Sequence, residues 1–223
     1  MSDRRALAIV PAHDEERTVG ATVRALGSVP GIDTVVVVDD GSTDATADRA
    51  VAAGAVVLRS PRRLGKGRAM EAALSRCSAA QVYVFADADL AETASALAPV
   101  VAAVLERTAD LCIAVLPPQG GGFGSVKRFA RWAIEATSGF RAREPLSGQR
   151  AITAELLASC RPLAGGFGVE AAMTIDAVRA GGKVLELEAP LRHRSLGRTL
   201  GGFVHRGRQG WDILLAVVGR GLR

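Results

Sequence analysis

A chain of 223 residues, 48% hydrophobic and 4% aromatic, is long enough to bury the core of an α/β domain and too apolar to stay unfolded. No run reaches the roughly twenty apolar residues of a membrane span, MSDRRALAIV has no signal-peptide core, and Cys77, Cys112 and Cys160 match neither a disulfide framework nor zinc spacing, so a reducing cytoplasm is expected. The net charge of +5 is lopsided: seven arginines and one acid follow Leu191, while residues 1–191 are close to neutral.

Residues 6–10 read as a buried strand and residues 15–29 as a helix. The β-branched run 34–38 is a second strand, and Thr43 is placed to cap a helix running to about residue 53. A strand at 55–58, a helix at 65–77, a strand at 82–85, a helix at about 93–107 and a strand at 111–115 follow. This alternation predicts an α/β fold with a mostly parallel central sheet, helices on both faces and one domain over residues 1–223. Beyond it lie a glycine-rich loop at 117–124, helices at about 125–137 and 168–180, a strand at 183–187 and a tail helix at about 201–218.

Three of these strands end in polar clusters, Pro11–Glu16, Val37–Asp44 and Asp87–Asp89. In an open α/β sheet, one crevice outside the carboxyl ends gathers such clusters. Asp87 and Asp89 are two residues apart after a strand, so the pleat would aim both at one point. Their repulsion is tolerable where a divalent cation sits between them. No Gly-x-Gly-x-x-Gly turn follows the first strand and no Gly-x-x-x-x-Gly-Lys-Ser/Thr loop occurs, which argues against dinucleotide-binding and P-loop domains.

PAHDEE (11–16), VVDDGSTD (37–44), LGKG (64–67) and DADL (87–90), in this order and spacing, resemble a family 2 nucleotide-sugar glycosyltransferase of GT-A fold over most of the chain. The resemblance implies a Rossmann-like nucleotide-binding half to about residue 115 and an acceptor half after it. In such enzymes Pro11, His13 and Glu15 would border the base and ribose, and Asp39 or Asp40 would hydrogen-bond the base. Lys66, Asp87 and Ala88 would line the nucleotide sugar. Asp89, with Asp87 serving ribose or metal, would carry the Mg²⁺ or Mn²⁺ that bridges the donor diphosphate.

Glu144–Arg150 (EPLSGQR) resembles the acceptor-side motif of polyprenyl-phosphate sugar transferases, usually Asp-Pro-x-Ser-Gly-Phe-Arg. That likeness implies an acceptor at Ser147, Gly148, Gln149 and Arg150. Gly166–Glu170 (GFGVE) is similar to glucosyl-3-phosphoglycerate synthases, and His193 stands where those enzymes have a metal-binding histidine. Glu170 is either a catalytic-site carboxylate or a helix N-terminal charge. Arg192–Arg198 also resembles the lipid-type Asp-Arg-x-x-Gly-Lys segment, in which Arg194 would act on the reacting phosphates and Arg198 would meet phosphate. The chain departs from its relatives at His13, where tyrosine or leucine is common, at Gln149, which replaces an aromatic, and at Glu144, which replaces an aspartate.

The expected function is metal-dependent transfer of a hexose from a UDP- or GDP-sugar to a phosphate-bearing acceptor. Polyprenyl phosphate is favoured, because of the Ser-Gly-Gln-Arg motif and a basic tail with a short apolar run that would meet the inner face of a membrane. A phosphate acceptor is already a nucleophile, so no strong general base is needed. A soluble glucosyl-3-phosphoglycerate-synthase-like enzyme is the alternative of the same class, with residues 120–124 wrapping the acceptor phosphate. A nucleotide-sugar-binding module without catalysis is the alternative of another class. Nucleic acid is not an expected partner, because the tail lacks interleaved aromatics. The oligomeric state is open, a homodimer being one option.

Overall fold

The computed structural model describes residues 6–117 and 124–192. β1 (Ala6–Ala12) lies parallel to β2 (Ile32–Asp39) on one side and to β4 (Val82–Phe85) on the other, and β3 (Val56–Arg59) extends the sheet beyond β2. Side chains of a strand alternate between faces. Ala8 and Val10 of β1 therefore join Val35, Val37 and Val84 in one apolar layer, while Leu7 and Ile9 join Val36, Val38, Tyr83 and Phe85 in the other. Both faces are buried, which is why these strands read as continuous apolar runs.

The first layer is closed by α1 (Val19–Gly27), a 3₁₀ segment (Ala91–Leu97) and α4 (Ala98–Leu105), through Val23, Leu26, Leu97 and Val101. The second is closed by α3 (Lys66–Leu74), α6 (Ala154–Ser159) and α7 (Val169–Arg179), through Met70, Leu74, Leu157 and Met173. α5 (Gly124–Ser138) packs on α7 through Ala130 and Ile134 against Ala171 and Ile175. Helices thus cover both faces, as the alternation predicts. Among the described residues no helix is long and apolar enough to cross a membrane.

The structure differs from the sequence reading at four places. β6 (Arg150–Thr153), which the sequence hides inside the acceptor motif, runs antiparallel between β4 and β5 (Leu111–Val115) and makes the sheet mixed. The strand order is β3-β2-β1-β4-β6-β5-β7, with β7 (Val184–Glu188) parallel to β5 at the edge. The first helix begins at Val19, not residue 15, because the Glu15 carbonyl accepts from the N–H groups of Thr18 and Val19 in a preceding turn. α2 (Thr46–Ala52) is not capped by Thr43: the Thr43 N–H donates to Asp14 Oδ1, and the Asp44 carboxylate accepts from the Thr46 N–H at 2.9 Å. The helix expected at 93–107 is split into the 3₁₀ segment and α4, with Pro99 in the first turn of α4, where its missing N–H costs no hydrogen bond. Residues 118–123 of the glycine-rich loop and the tail helix expected at about 201–218 lie outside the described residues.

Candidate functional site

Strand order switches direction at β1, with β2 on one side and β4 on the other, and the crevice of an open α/β sheet opens at such a point. The two acidic loops at the ends of β1 and β2 are first of all bound to each other. Asp14 N–H donates to Ser42 Oγ, Glu15 N–H to Thr46 Oγ1 and Glu16 N–H to Asp44 Oδ2. In return Asp14 accepts from Thr43 N–H and Glu16 from Ala45 N–H. Asp14 adopts φ +54° to make this lacing, a conformation Asp tolerates better than most residues. His13 Nδ1 donates to the Asp40 carbonyl at 3.0 Å, and Glu15 Oε2 accepts from the Thr18 hydroxyl at 2.9 Å. Pro11, partly exposed, sits beside Val38 in the ladder.

Asp39 and Asp40 are buried, and each is committed to the protein rather than left for a base alone. Asp39 accepts from Ser42 N–H at 3.0 Å and from Arg59 Nε at 3.3 Å. Asp40 accepts from the N–H groups of Leu64 and Gly65, at 2.6 and 2.8 Å, one on each oxygen. Asp40 is therefore the anchor of the Leu64–Lys66 turn. Asp40→Ala should cost about 3 kcal/mol, since hydrogen bonds to a charged acceptor are worth roughly 1.5–3 kcal/mol each and only part is recovered by water. Nucleotide affinity should fall with it, as Lys66 loses its mooring. Urea denaturation and calorimetry would check both, and an unchanged denaturation midpoint would refute the anchor.

Two glycines explain how Lys66 reaches the crevice. Gly65 precedes α3 with φ +89°, a conformation favouring glycine. A Cβ on Gly67 would lie 1.9 Å from the Ala164 carbonyl oxygen, so only glycine lets the first turn of α3 press against the segment leading into α7. Glu71, one turn on, reinforces that contact by accepting from Arg161 Nε and Nη2, at 2.9 and 2.6 Å, and from Leu163 N–H. Lys66 Nζ consequently lies 2.5 Å from Asp87 Oδ1 and 2.7 Å from Glu170 Oε1. Burial pulls the Lys66 pKa down, but the two carboxylates outweigh it and raise the value above that of an ordinary lysine.

β4 ends at Phe85, so the strand pleat does not carry through to Asp89 as the sequence reading supposed: Asp89 sits in a turn. Asp87 Oδ2 accepts from Gln149 Nε2 at 2.6 Å while Oδ1 faces Lys66. An ammonium and an amide N–H thus sit on its two oxygens. Ala88 is buried in the core and its carbonyl accepts from the Thr22 hydroxyl. Among the described residues no group of three or more His, Cys, Asp or Glu side chains could hold a metal by itself. The partly exposed Asp89 nevertheless offers a hard oxygen donor of the kind that Mg²⁺ or Mn²⁺ takes, with substrate phosphates and water completing the shell.

The acceptor-type motif serves the interior. A Cβ on Gly148 would lie 2.5 Å from Lys66 Nζ and 2.9 Å from both Asp87 oxygens, so this glycine lets the two halves of the crevice close on each other. Ser147 is buried with its hydroxyl 3.2 Å from Gln149 Oε1. Gln149 is fully buried. Arg150, 1% exposed, donates from Nε and Nη2 to the Ser147 carbonyl and from Nη1 to the Glu170 carbonyl at 3.0 Å. Burial lowers its pKa, against nearby Glu170, yet a guanidinium stays charged. Gln149 and Arg150, expected to touch an acceptor phosphate, hold Asp87 and the start of α7 here. Arg150→Met should lower unfolding free energy by about 3 kcal/mol by orphaning buried carbonyls. A denaturation curve matching the wild type would contradict this.

His193, Arg194 and Arg198 lie outside the described residues. Sequence reasoning missed Thr22, Glu71 and Arg161. Nothing local marks them, because their partners are 66 to 92 residues away in the chain.

A family model described as glycosyl transferase family 2 matches residues 7–158. The chain belongs to glycosyl transferase family 2. The glucosyl-3-phosphoglycerate synthase of Mycolicibacterium paratuberculosis is 34% identical, over 75% of this chain and 58% of the relative. That of Mycolicibacterium smegmatis is 32% identical, over 75% of this chain and 62% of the relative. The chain thus spans less than two thirds of the length of these curated relatives. Among solved structures, the Mycobacterium tuberculosis synthase in complex with Mn²⁺, UDP and glucosyl-3-phosphoglycerate superposes with a TM-score of 0.80 at 29% identity, covering 97% of this chain and 80% of that one. The same synthase with Mn²⁺, UDP and phosphoglyceric acid gives a TM-score of 0.82 at 28% identity, covering 98% and 78%. The GT-A fold implied by the motifs is the fold of this family 2 chain, with β6 as its antiparallel member.

Proposed function

We propose that the chain transfers glucose from UDP-glucose to a small phosphorylated acid of the phosphoglycerate kind, with Mg²⁺ or Mn²⁺ bound. The observation that carries this reading is the Lys66 bridge. It joins Asp87, at the end of a nucleotide-half strand, to Glu170, at the start of an acceptor-half helix, at 2.5 and 2.7 Å. The chain around that bridge is similar to synthases whose structures hold UDP, Mn²⁺ and glucosyl-3-phosphoglycerate, or Mn²⁺ and UDP-glucose.

In this reading Asp89 holds the cation, whose chemistry when bound is to neutralise the leaving nucleoside diphosphate. Asp87, oriented by Lys66 and Gln149, accepts from hydroxyls of the nucleotide sugar. Glu170, 6% exposed at the first turn of α7, orients the acceptor against the sugar. Lys66 keeps both carboxylates in place and excludes water from between them.

A lipid acceptor has lost its main support. The Ser-Gly-Gln-Arg motif that suggested polyprenyl phosphate is buried and bonded to the protein. The test is a radiolabelled assay with UDP-glucose or GDP-glucose and Mn²⁺, offering 3-phosphoglycerate or polyprenyl phosphate. Transfer from UDP-glucose to 3-phosphoglycerate is expected. Transfer to polyprenyl phosphate alone would overturn the acceptor, and donor binding without transfer to either would favour a binding module.

A further inference from the structure

We infer that Thr22 is a positioning residue for Asp89, acting through the backbone on either side of it. Thr22 lies on the buried face of α1 and is its only polar member among the buried residues Val19, Thr22, Val23 and Leu26. A fully buried hydroxyl in an apolar layer is retained only if its hydrogen bonds are made. Besides the Thr18 carbonyl one turn back on α1, at 3.1 Å, two partners belong to the turn that carries Asp89: Thr22 Oγ1 donates to the Ala88 carbonyl at 2.9 Å and accepts from the Ala91 N–H at 2.8 Å. One oxygen thus spans the turn from the residue before Asp89 to the second residue after it.

The turn needs holding. Ala91 sits at φ +49°, a left-handed conformation that residues with a Cβ keep only when the surroundings impose it. Leu90 is buried between them, 1% exposed, and its carbonyl accepts from the Thr93 hydroxyl at 2.6 Å. Helix α1 is in turn fixed to the sheet by Val23 and Leu26. The backbone on both sides of Asp89 is therefore tied to α1 through the Thr22 hydroxyl.

This inference rests on the reading in which Asp89 holds Mg²⁺ or Mn²⁺. Thr22→Val keeps the shape and the β-branch but removes the hydroxyl, whereas Thr22→Ser keeps it. Mn²⁺ titrated into the full chain in the presence of UDP, with free Mn²⁺ followed by electron paramagnetic resonance, should bind Thr22→Val about tenfold more weakly, the low end of what losing an outer-shell partner costs. Binding of UDP without metal should stay at the wild-type level, and Thr22→Ser should restore Mn²⁺ affinity. If Thr22→Val does not fold, Thr22→Ala carries the same test, since it removes the hydroxyl without placing a methyl against the Ala88 carbonyl. Wild-type Mn²⁺ affinity in the valine variant, or equal losses in the valine and serine variants, would overturn the inference alone. A wild-type protein that bound no Mn²⁺ with UDP would overturn the reading of Asp89 and this inference with it.

Discussion

Asp89→Ala is expected to lower transfer from UDP-glucose by about 10³-fold or more while the protein still folds. A cation polarising the leaving diphosphate supplies several kcal/mol of charge stabilisation, and each 1.4 kcal/mol or so is a factor of ten in rate. The fold should survive because the backbone of the turn is held by Thr22 and Thr93, and its apolar anchor is Leu90. UDP affinity should lose its metal-dependent increment and keep the metal-independent remainder. Steady-state rates at saturating donor, with calorimetry in the presence and absence of Mn²⁺, measure both. Wild-type turnover in this variant would remove Asp89 from the chemistry.

The second large effect is expected at Lys66. Lys66→Met leaves Asp87 and Glu170, two carboxylates that had shared one ammonium at 2.5 and 2.7 Å, without their cation. Removing one partner of a largely buried ion pair costs roughly 3–5 kcal/mol. The side chains here are 7–27% exposed, so the low end, about 3 kcal/mol, is the sounder expectation. Combining Lys66→Met with Glu170→Gln should return part of the loss, because the second change removes one uncompensated charge. Additive losses in such a cycle would mean the groups are not coupled. The pH dependence has a definite sign. The folded-state pKa of Lys66 lies above its unfolded value, so its stabilisation is fully present below about pH 10.4 and fades only as pH rises through the folded value. The gap in melting temperature between wild type and Lys66→Met should stay constant from neutral pH to about pH 9 and narrow in strong alkali. A gap that closed on acidification instead would show that another group titrates.

The chain carries part of this site openly. A buried strand betrays itself by apolar residues in a row, so β1, β2, β4 and β5 are legible, and with them the carboxyl ends where the acidic clusters gather. The LGKG turn is legible as chemistry, but the reason for its second glycine is not. Gly67 matters because the Ala164 carbonyl, 97 residues on, would collide with any side chain there.

The placement of the EPLSGQR motif is illegible for the same physical reason. Its polar residues look solvent-facing in sequence, and nothing local says that Arg150 would be folded under α7 or that Gln149 would bond Asp87. Four residues, Arg150–Thr153, are also too few to announce β6 by alternation, and an antiparallel partner reached from the far half of the chain leaves no spacing signature.

By itself the sequence determined the family, the α/β alternation and the chemical types available at the crevice: carboxylates at the strand ends and a lysine set between glycines. These follow from local periodicity and from motif order. Tertiary structure alone decided which carboxylate meets which cation. It drew Asp87 to Lys66 and Gln149, left Asp89 in a turn beyond the strand, fixed that turn to α1 through Thr22, and buried Arg150 as a brace. Hydrogen bonds and ion pairs act over a few ångströms of space, and the residues they join here are up to 99 positions apart in the chain.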